Sequence, residues 1–228
     1  MWAICTDNEF HGNRWDPEAF FASGRQAVDE TVRDLADLGV TLPPDGRALD
    51  FGCGIGRLTL ALAAHVDEVV GVDIAPSMIA GADEHNDVGP RVSYRLNTGE
   101  DLAGFDDDSF DLVLSVIVLQ HIENRFKVGY LEEFLRVLKP GGIAYVTIPS
   151  HPNLRSLLGI GFAVLPKSVL DLYRRKRFGY DGLMELYGMR REEVEAVVRA
   201  RGGDVVDVRP DKSVGDGWHA FRYVLRAS

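Results

Sequence analysis

The segment Leu49-Asp50-Phe51-Gly52-Cys53-Gly54-Ile55-Gly56-Arg57 constrains this chain more than any other. Ahead of it lie a turn signal, Pro43-Pro44-Asp45-Gly46, and a short extended run, Arg47 to Phe51. Behind it, Leu58-Thr59-Leu60-Ala61-Leu62-Ala63-Ala64 has the composition of a helix. A strand, a glycine-rich turn and a helix in that order form the corner of an α/β sheet that receives a phosphate or a nucleoside. Glycines are needed because the turn is tight and a ligand must approach bare backbone. The spacing is Gly-x-Gly-x-Gly, whereas a dinucleotide site wants Gly-x-Gly-x-x-Gly, and position 57 is arginine. Arg57 would crowd a pyrophosphate at the helix N-terminus, and Asp50 would repel it. Asp50 suits a cationic ligand head instead.

The segments that follow repeat the logic of an acid or polar residue at a strand end. Glu68-Val69-Val70-Gly71-Val72-Asp73 is an apolar strand closing on a carboxylate, and Pro76-Ser77-Met78-Ile79 begins a helix. A carboxylate at that place can accept both hydroxyls of a ribose, or it can cap the helix that follows. Arg91 to Leu96 alternates as a third strand and leads into Asn97-Thr98-Gly99-Glu100-Asp101-Leu102. Phe110 to Val116 reads as a fourth, central strand, followed by Ile117-Val118-Leu119-Gln120-His121-Ile122. Tyr130 to Leu138 is an amphipathic helix stopped by Lys139-Pro140-Gly141-Gly142, and Ile143 to Ile148 is a fifth strand.

From Asp50 to the Leu-Lys-Pro-Gly-Gly stop, four motifs in order over residues 47–149 resemble the class I S-adenosylmethionine (SAM)-dependent methyltransferases. The resemblance implies a doubly wound α/β fold: a seven-stranded, mostly parallel sheet in the order 3-2-1-4-5-7-6 with its last strand antiparallel. It implies SAM as cofactor and S-adenosylhomocysteine as product. Gly52, Gly54 and Gly56 would cradle the cofactor, Asp50 would face its cationic part and Asp73 would hold the ribose. Ile74 and Met78 would flank the adenine. Ser115, Val116 and Gln120 would border the cofactor at the end of the fourth strand. Members commonly carry a carboxylate where Thr98 stands and an alanine where Gly99 stands, so the adenine amino group would meet the Thr98 hydroxyl and the Gly99-Glu100 backbone.

The rest of the chain fits one domain. Residues 1–45 read as N-terminal helices, one starting at Asp16-Pro17 and a second over about 26–38. Trp15, Phe20 and Phe21 are candidates for cofactor or substrate contact. Residues 46–149 form the SAM-binding core. Residues 150–190 read as a helical insertion over the substrate side, with an apolar 154–166 stretch and a basic run, Arg174-Arg175-Lys176-Arg177. That run is a solvated helix face, or else it attracts an anionic substrate or a membrane surface. Residues 191–228 hold a last helix and a terminal strand pair, Asp204–Arg209 and Trp218–Leu225. With 25 Lys and Arg against 35 Asp and Glu, the net charge of −10 disfavours a nucleic-acid substrate. Two cysteines, Cys5 and Cys53, with Cys53 inside the glycine turn, read as free thiols in a reducing cytoplasm. No signal peptide or membrane span is expected, no metal-ligand spacing is present, and oligomeric state is not encoded in any motif.

The resembled chemistry asks for positioning and, for a hydroxyl acceptor, a base. His121, after the fourth strand, is the first candidate and His151, just past the fifth, the second. His219 could border the same mouth, while His11, His65 and His85 read as surface residues. The expectation is methyl transfer to a hydroxyl of a small molecule: a natural product, a sugar or a lipid-linked metabolite. A non-catalytic cofactor-binding scaffold and an NAD-type oxidoreductase are the alternatives.

Overall fold

A computed structural model of the chain describes residues 16–165, 169 and 185–228. The expected pair of N-terminal helices is a single helix, α1 (Pro17–Asp37). Asp16 caps it by accepting from the Glu18 amide at 3.0 Å, with Pro17 in the first turn. Gly24 does not interrupt it. A Cβ there would lie 2.3 Å from the carbonyl oxygen of Arg57, so the glycine marks where α1 crosses the next helix at backbone contact.

The elements that follow are β1 (Arg47–Phe51), α2 (Arg57–Leu62), β2 (Glu68–Asp73), α3 (Pro76–Glu84), β3 (Val92–Leu96) and β4 (Phe110–Ser115). A single 3₁₀ turn (Leu119–His121) then leads into α4 (Asn124–Val137). The second half holds β5 (Leu138–Pro152), α5 (Leu157–Val164), α6 (Arg191–Ala200), β6 (Asp204–Asp211) and β7 (Trp218–Arg226). Among the described residues, seven strands form one sheet in the order β3-β2-β1-β4-β5-β7-β6, and β7 runs antiparallel to both its neighbours. This is the doubly wound sheet that the motifs implied.

Strand alternation divides the core into two layers. Leu49 and Val113 point to the face covered by α4 and α6, where Phe134, Val194 and Val198 are buried. Ala48 and Leu112 point to the face covered by α1 and α2, against Val28, Leu35 and Leu62. One boundary differs from expectation. Lys139 to Gly142 does not separate α4 from a strand starting at Ile143, because extended backbone resumes at Leu138. Lys139 precedes a proline and favours extended geometry. The four residues form an irregular opening of β5, pinned by Gly141 N–H to Ala227 O and Ala227 N–H to Gly142 O, each 3.0 Å.

Strand order reverses between β1 and β4, and a crevice opens beyond the strand ends at such a switch point. Among the described residues no helix is long and apolar enough to cross a membrane.

Candidate active site

A cavity of about 690 Å³ lies at this switch point, within the ~300–1,000 Å³ common for small-molecule sites. Its first wall is the glycine turn. Gly52 and Cys53 donate their amides to Val72 O at 2.8 and 2.9 Å, locking the turn to the end of β2. Gly52 has φ +80, and a Cβ there would fall 2.4 Å from a methyl of Val118, the residue facing it from the loop after β4. Gly54 (φ +55) lines the cavity. Gly56 does not. Its φ is +88, and a Cβ would meet the Tyr94 hydroxyl at 2.3 Å, so this third glycine seats the turn on β3 rather than cradling a ligand.

Two acids stand on this wall in different states. Asp73 ends β2 with both carboxylate oxygens engaged: Oδ2 accepts from Gly54 N–H at 3.0 Å and Oδ1 from Ala75 N–H at 2.9 Å. It therefore holds the turn and the start of α3 in place, and it lines the cavity with acceptor capacity to spare. Asp50 is 2% exposed and accepts from the Thr59 hydroxyl at 2.6 Å. Burial pushes its carboxyl up to about 6, against the pull of the Thr59 bond and the Arg57 charge. Cys53 is a buried free thiol whose pKa burial drives upward, with Asp50 adding to the shift, so it is no nucleophile.

Ile74 and Met78 line the cavity, as do Asn97, Thr98, Gly99 and Glu100. Ile74 is 69% exposed, an apolar surface beside a carboxylate that a bound ring would cover. The glycine turn, the Asp73 carboxylate and this bare isoleucine together fit an adenosyl group.

The opposite wall comes from the loop after β4 and from α4: Val116, Ile117, Val118, His121, Ile122 and Phe126, with Tyr130 and Tyr187. Ile117 has φ +64, an uncommon conformation for a β-branched residue, and its amide donates to Thr147 Oγ1 at 2.9 Å. Tyr130 donates its hydroxyl to Gly99 O at 2.8 Å, joining the two walls, and burial raises its pKa.

His121 is the imidazole on this wall among the described residues. Its Nδ1 lies 3.0 Å from Glu185 O and its Nε2 3.0 Å from Gln120 Nε2. A carbonyl only accepts, so Nδ1 carries the proton and Nε2 is the basic nitrogen, receiving the Gln120 amide. Burial lowers the His121 pKa, and the Lys127 charge adds to the shift.

Several expected site residues lie elsewhere. His151 leaves with β5 beyond the last β4 pairing, Ser115 with Val146, and pairs with His219 on β7; their rings meet at a 40° tilt, 4.9 Å between centroids, on an exposed surface. Neither lines the cavity. Ser115 is fully buried in β4, and Gln120 (4% exposed) is buried beside His121 Nε2; neither lines the cavity. Phe20 is buried beneath the Arg57 guanidinium, and Phe21 packs on His85 (5.3 Å between rings), so neither reaches the cavity. His65 meets Asp29 at 3.0 Å and His85 meets Gly81 O at 2.6 Å, both off the wall. The apolar stretch around α5 exposes Leu157 and Val164 without lining the cavity. Trp15, His11, Cys5 and the 174–177 basic run lie outside the described residues. The sequence reading missed Ile117, Phe126, Tyr130 and Tyr187. The first three follow the fourth strand closely, and the strand-end rule points to them; Tyr187 carries no local signal.

The fold and this cavity define a class of nucleoside-cofactor enzymes, and comparison with known proteins identifies it. A family model described as a methyltransferase domain matches residues 49–146. The chain is 40% identical over 173 residues to a ubiquinone biosynthesis O-methyltransferase of Cereibacter sphaeroides, covering 69% of each chain. It is 33% identical over 155 residues to a protein of the same name from Xanthomonas campestris pv. campestris, covering 65% of this chain and 62% of that one. Two of the solved structures that match cover nearly all of this chain. One is magnesium protoporphyrin IX methyltransferase from Synechocystis PCC 6803 with bound SAH (TM-score 0.64, 18% identity, 96% and 91% coverage). The other is the PH0226 protein of Pyrococcus horikoshii OT3 (TM-score 0.66, 19% identity, 98% and 97% coverage). The chain belongs to the class I, Rossmann-like SAM-dependent methyltransferases. It is a methyltransferase that uses SAM, and the NAD-type oxidoreductase and non-catalytic scaffold alternatives fall away.

Proposed function

We propose that the chain methylates a hydroxyl on a small acceptor with an apolar or aromatic body, in the cytoplasm and without a nucleic-acid partner. The observation that carries this reading is the single imidazole, His121, among the described residues of a wall otherwise built of Ile117, Val118, Ile122, Phe126, Tyr130 and Tyr187. The Cereibacter relative, named as an O-methyltransferase, supports the acceptor atom. The cytoplasmic setting rests on the free Cys53 thiol, and the small-molecule acceptor on the cavity size and the acidic surface.

SAM supplies a methyl already on a sulfonium and leaves as a neutral thioether, so the protein's work is alignment and water exclusion. In this reading Asp73, Gly54, Ile74, Met78 and the Thr98–Glu100 turn hold the nucleoside, and Asp50 faces positive charge. Arg57, on the same wall, completes that side. His121 takes the acceptor's hydroxyl proton at Nε2 while Glu185 O fixes the Nδ1–H tautomer. The acceptor hydroxyl displaces the Gln120 amide from Nε2. Once protonated, Nε2 becomes a donor, and a half-turn of that amide offers it Gln120 Oε1, which is buried without a partner in the resting form.

The test is His121→Asn, whose side-chain amide keeps a donor towards Glu185 O and loses the basic nitrogen. SAM affinity by calorimetry should stay near wild type, while turnover of a phenolic or alcoholic acceptor falls by ~10²–10⁴-fold. The wild-type rate should rise with pH through a value below the ~6.5 of a free imidazole, and the variant should lose that limb. Near-normal turnover would make His121 a structural residue.

A further inference from the structure

Residues 185–189 are held to the cavity mouth by an unusual set of contacts. Three side chains from the start of α4 and the preceding turn all donate to the backbone carbonyls of this segment. His121 Nδ1 meets Glu185 O at 3.0 Å, Lys127 Nζ donates to Tyr187 O at 2.7 Å, and Asn124 Nδ2 donates to Gly188 O at 2.8 Å. Two backbone bonds finish the attachment: Tyr187 N–H to Gln120 O and Met189 N–H to Pro149 O, each 2.8 Å. The segment lies flush on β5, since a Cβ on Gly188 would fall 2.2 Å from Ser150 O. Its product is the placement of Tyr187 on the cavity wall beside His121.

Lys127 is the costly member of this set. It has no exposed surface, its ammonium contacts Tyr187 O and, at 3.2 Å, Asn124 Oδ1, and no carboxylate forms an ion pair with it among the described residues. A buried lysine without an ion pair is a poor way to stabilise a core, because an apolar chain of the same length would pack there without losing hydration. Its position is explained by what its three donors can reach.

We propose that Lys127, with Asn124, is a positioning residue that clasps residues 185–189 so that Tyr187 forms the acceptor-side wall, setting acceptor affinity without touching the acceptor. The proposal rests on the acceptor lying on the β4–α4 side of the cavity. It assigns Lys127 no proton transfer and no contact with SAM.

The test replaces Lys127 by Met, which keeps the stem and removes the donors, and reads amide hydrogen exchange at Tyr187 and Met189 against Val146 in the buried part of β5. Exchange at the two clasped amides should accelerate by roughly tenfold or more, the scale of one charge-assisted hydrogen bond, with Val146 unchanged. With a turned-over acceptor, its KM should rise while the SAM Kd stays at the wild-type value. Asn124→Ala, at an exposed helix start that cannot unfold the core, should change both readouts in the same direction and by less. Unchanged exchange at Tyr187 and Met189 in both variants would overturn the clasp. So would equal acceleration at Val146, which would make Lys127 a general stability residue. The exchange readout needs no acceptor, so failure of the hydroxyl-methylation reading would leave the clasp standing, and loss of the clasp would leave that reading intact.

Discussion

Asp50 is an acid with 2% of its surface exposed, one hydroxyl donor and a carboxyl raised from 3.8 to about 6 by burial. Across that interval the folded chain binds a proton that the unfolded chain has released. The stability tied to neutral Asp50 is therefore present below about pH 4 and lost as the pH climbs through about 6. At neutral pH the ionised group is a cost to folding that makes sense if a cation sits against it. Asp50→Asn, which can still accept from Thr59, should melt higher than wild type at neutral pH and about equally below pH ~4. The same variant should bind SAM more weakly, and the wild-type affinity should climb through about pH 6 where the variant's does not. A flat wild-type profile in calorimetry would show that Asp50 faces no cofactor charge. Asp73, by contrast, has its two oxygens tied to Gly54 and Ala75, so it serves the turn as well as any ribose.

At the scale of elements, helix propensity and packing pull in opposite directions in α1. Replacing a mid-helix glycine by alanine improves an isolated helix by ~1 kcal/mol. Gly24 sits where the Arg57 backbone approaches, 2.3 Å from the place a Cβ would take. Overpacking against backbone, which cannot rotate away, costs about 1–3 kcal/mol and should outweigh the gain. Gly24→Ala is therefore expected to lower the urea midpoint, and a raised midpoint would mean that α1 does not need this approach. The same close contact accounts for the single α1 found where two helices, the second over about 26–38, were expected: the glycine between them serves a neighbour, not a turn. In β5, likewise, Lys139 to Gly142 has the composition of a helix stop, yet it is held extended between Leu138 and Ile143, which pair with β4, and by the two backbone bonds to Ala227 just past β7.

For the molecule as a whole, a ligand that binds only the folded state stabilises it by mass action. SAM at ~100 times its Kd should add ~2.7 kcal/mol, read as a raised melting temperature, and NADH at the same concentration should add little. A shift with NADH and none with SAM would contradict the fit of the cavity to an adenosyl group carrying positive charge.

The sequence by itself determined the sheet half of this site. The Gly-x-Gly-x-Gly turn, the acids closing β1 and β2, and the Thr98–Glu100 turn are governed by backbone conformation within a few residues, and the strands they end are recognisable from apolar runs. Only the tertiary structure decided which side chains share the cavity's other wall. From the sequence His121 and His151 both read as lying just past a strand, but His151 is still within β5. The β4 pairing stops at Val146 while the β7 pairing continues, and that carries His151 to an exposed face beside His219. Tyr130 reads as the start of an amphipathic helix and Lys127 as a residue ahead of it, yet the helix begins at Asn124; one became a cavity wall and the other a buried donor to a segment 60 residues away. Tyr187 reaches His121 through contacts spanning more than 60 positions of chain. Such contacts are set by register and by the area buried between distant elements, and no local pattern of residues records them.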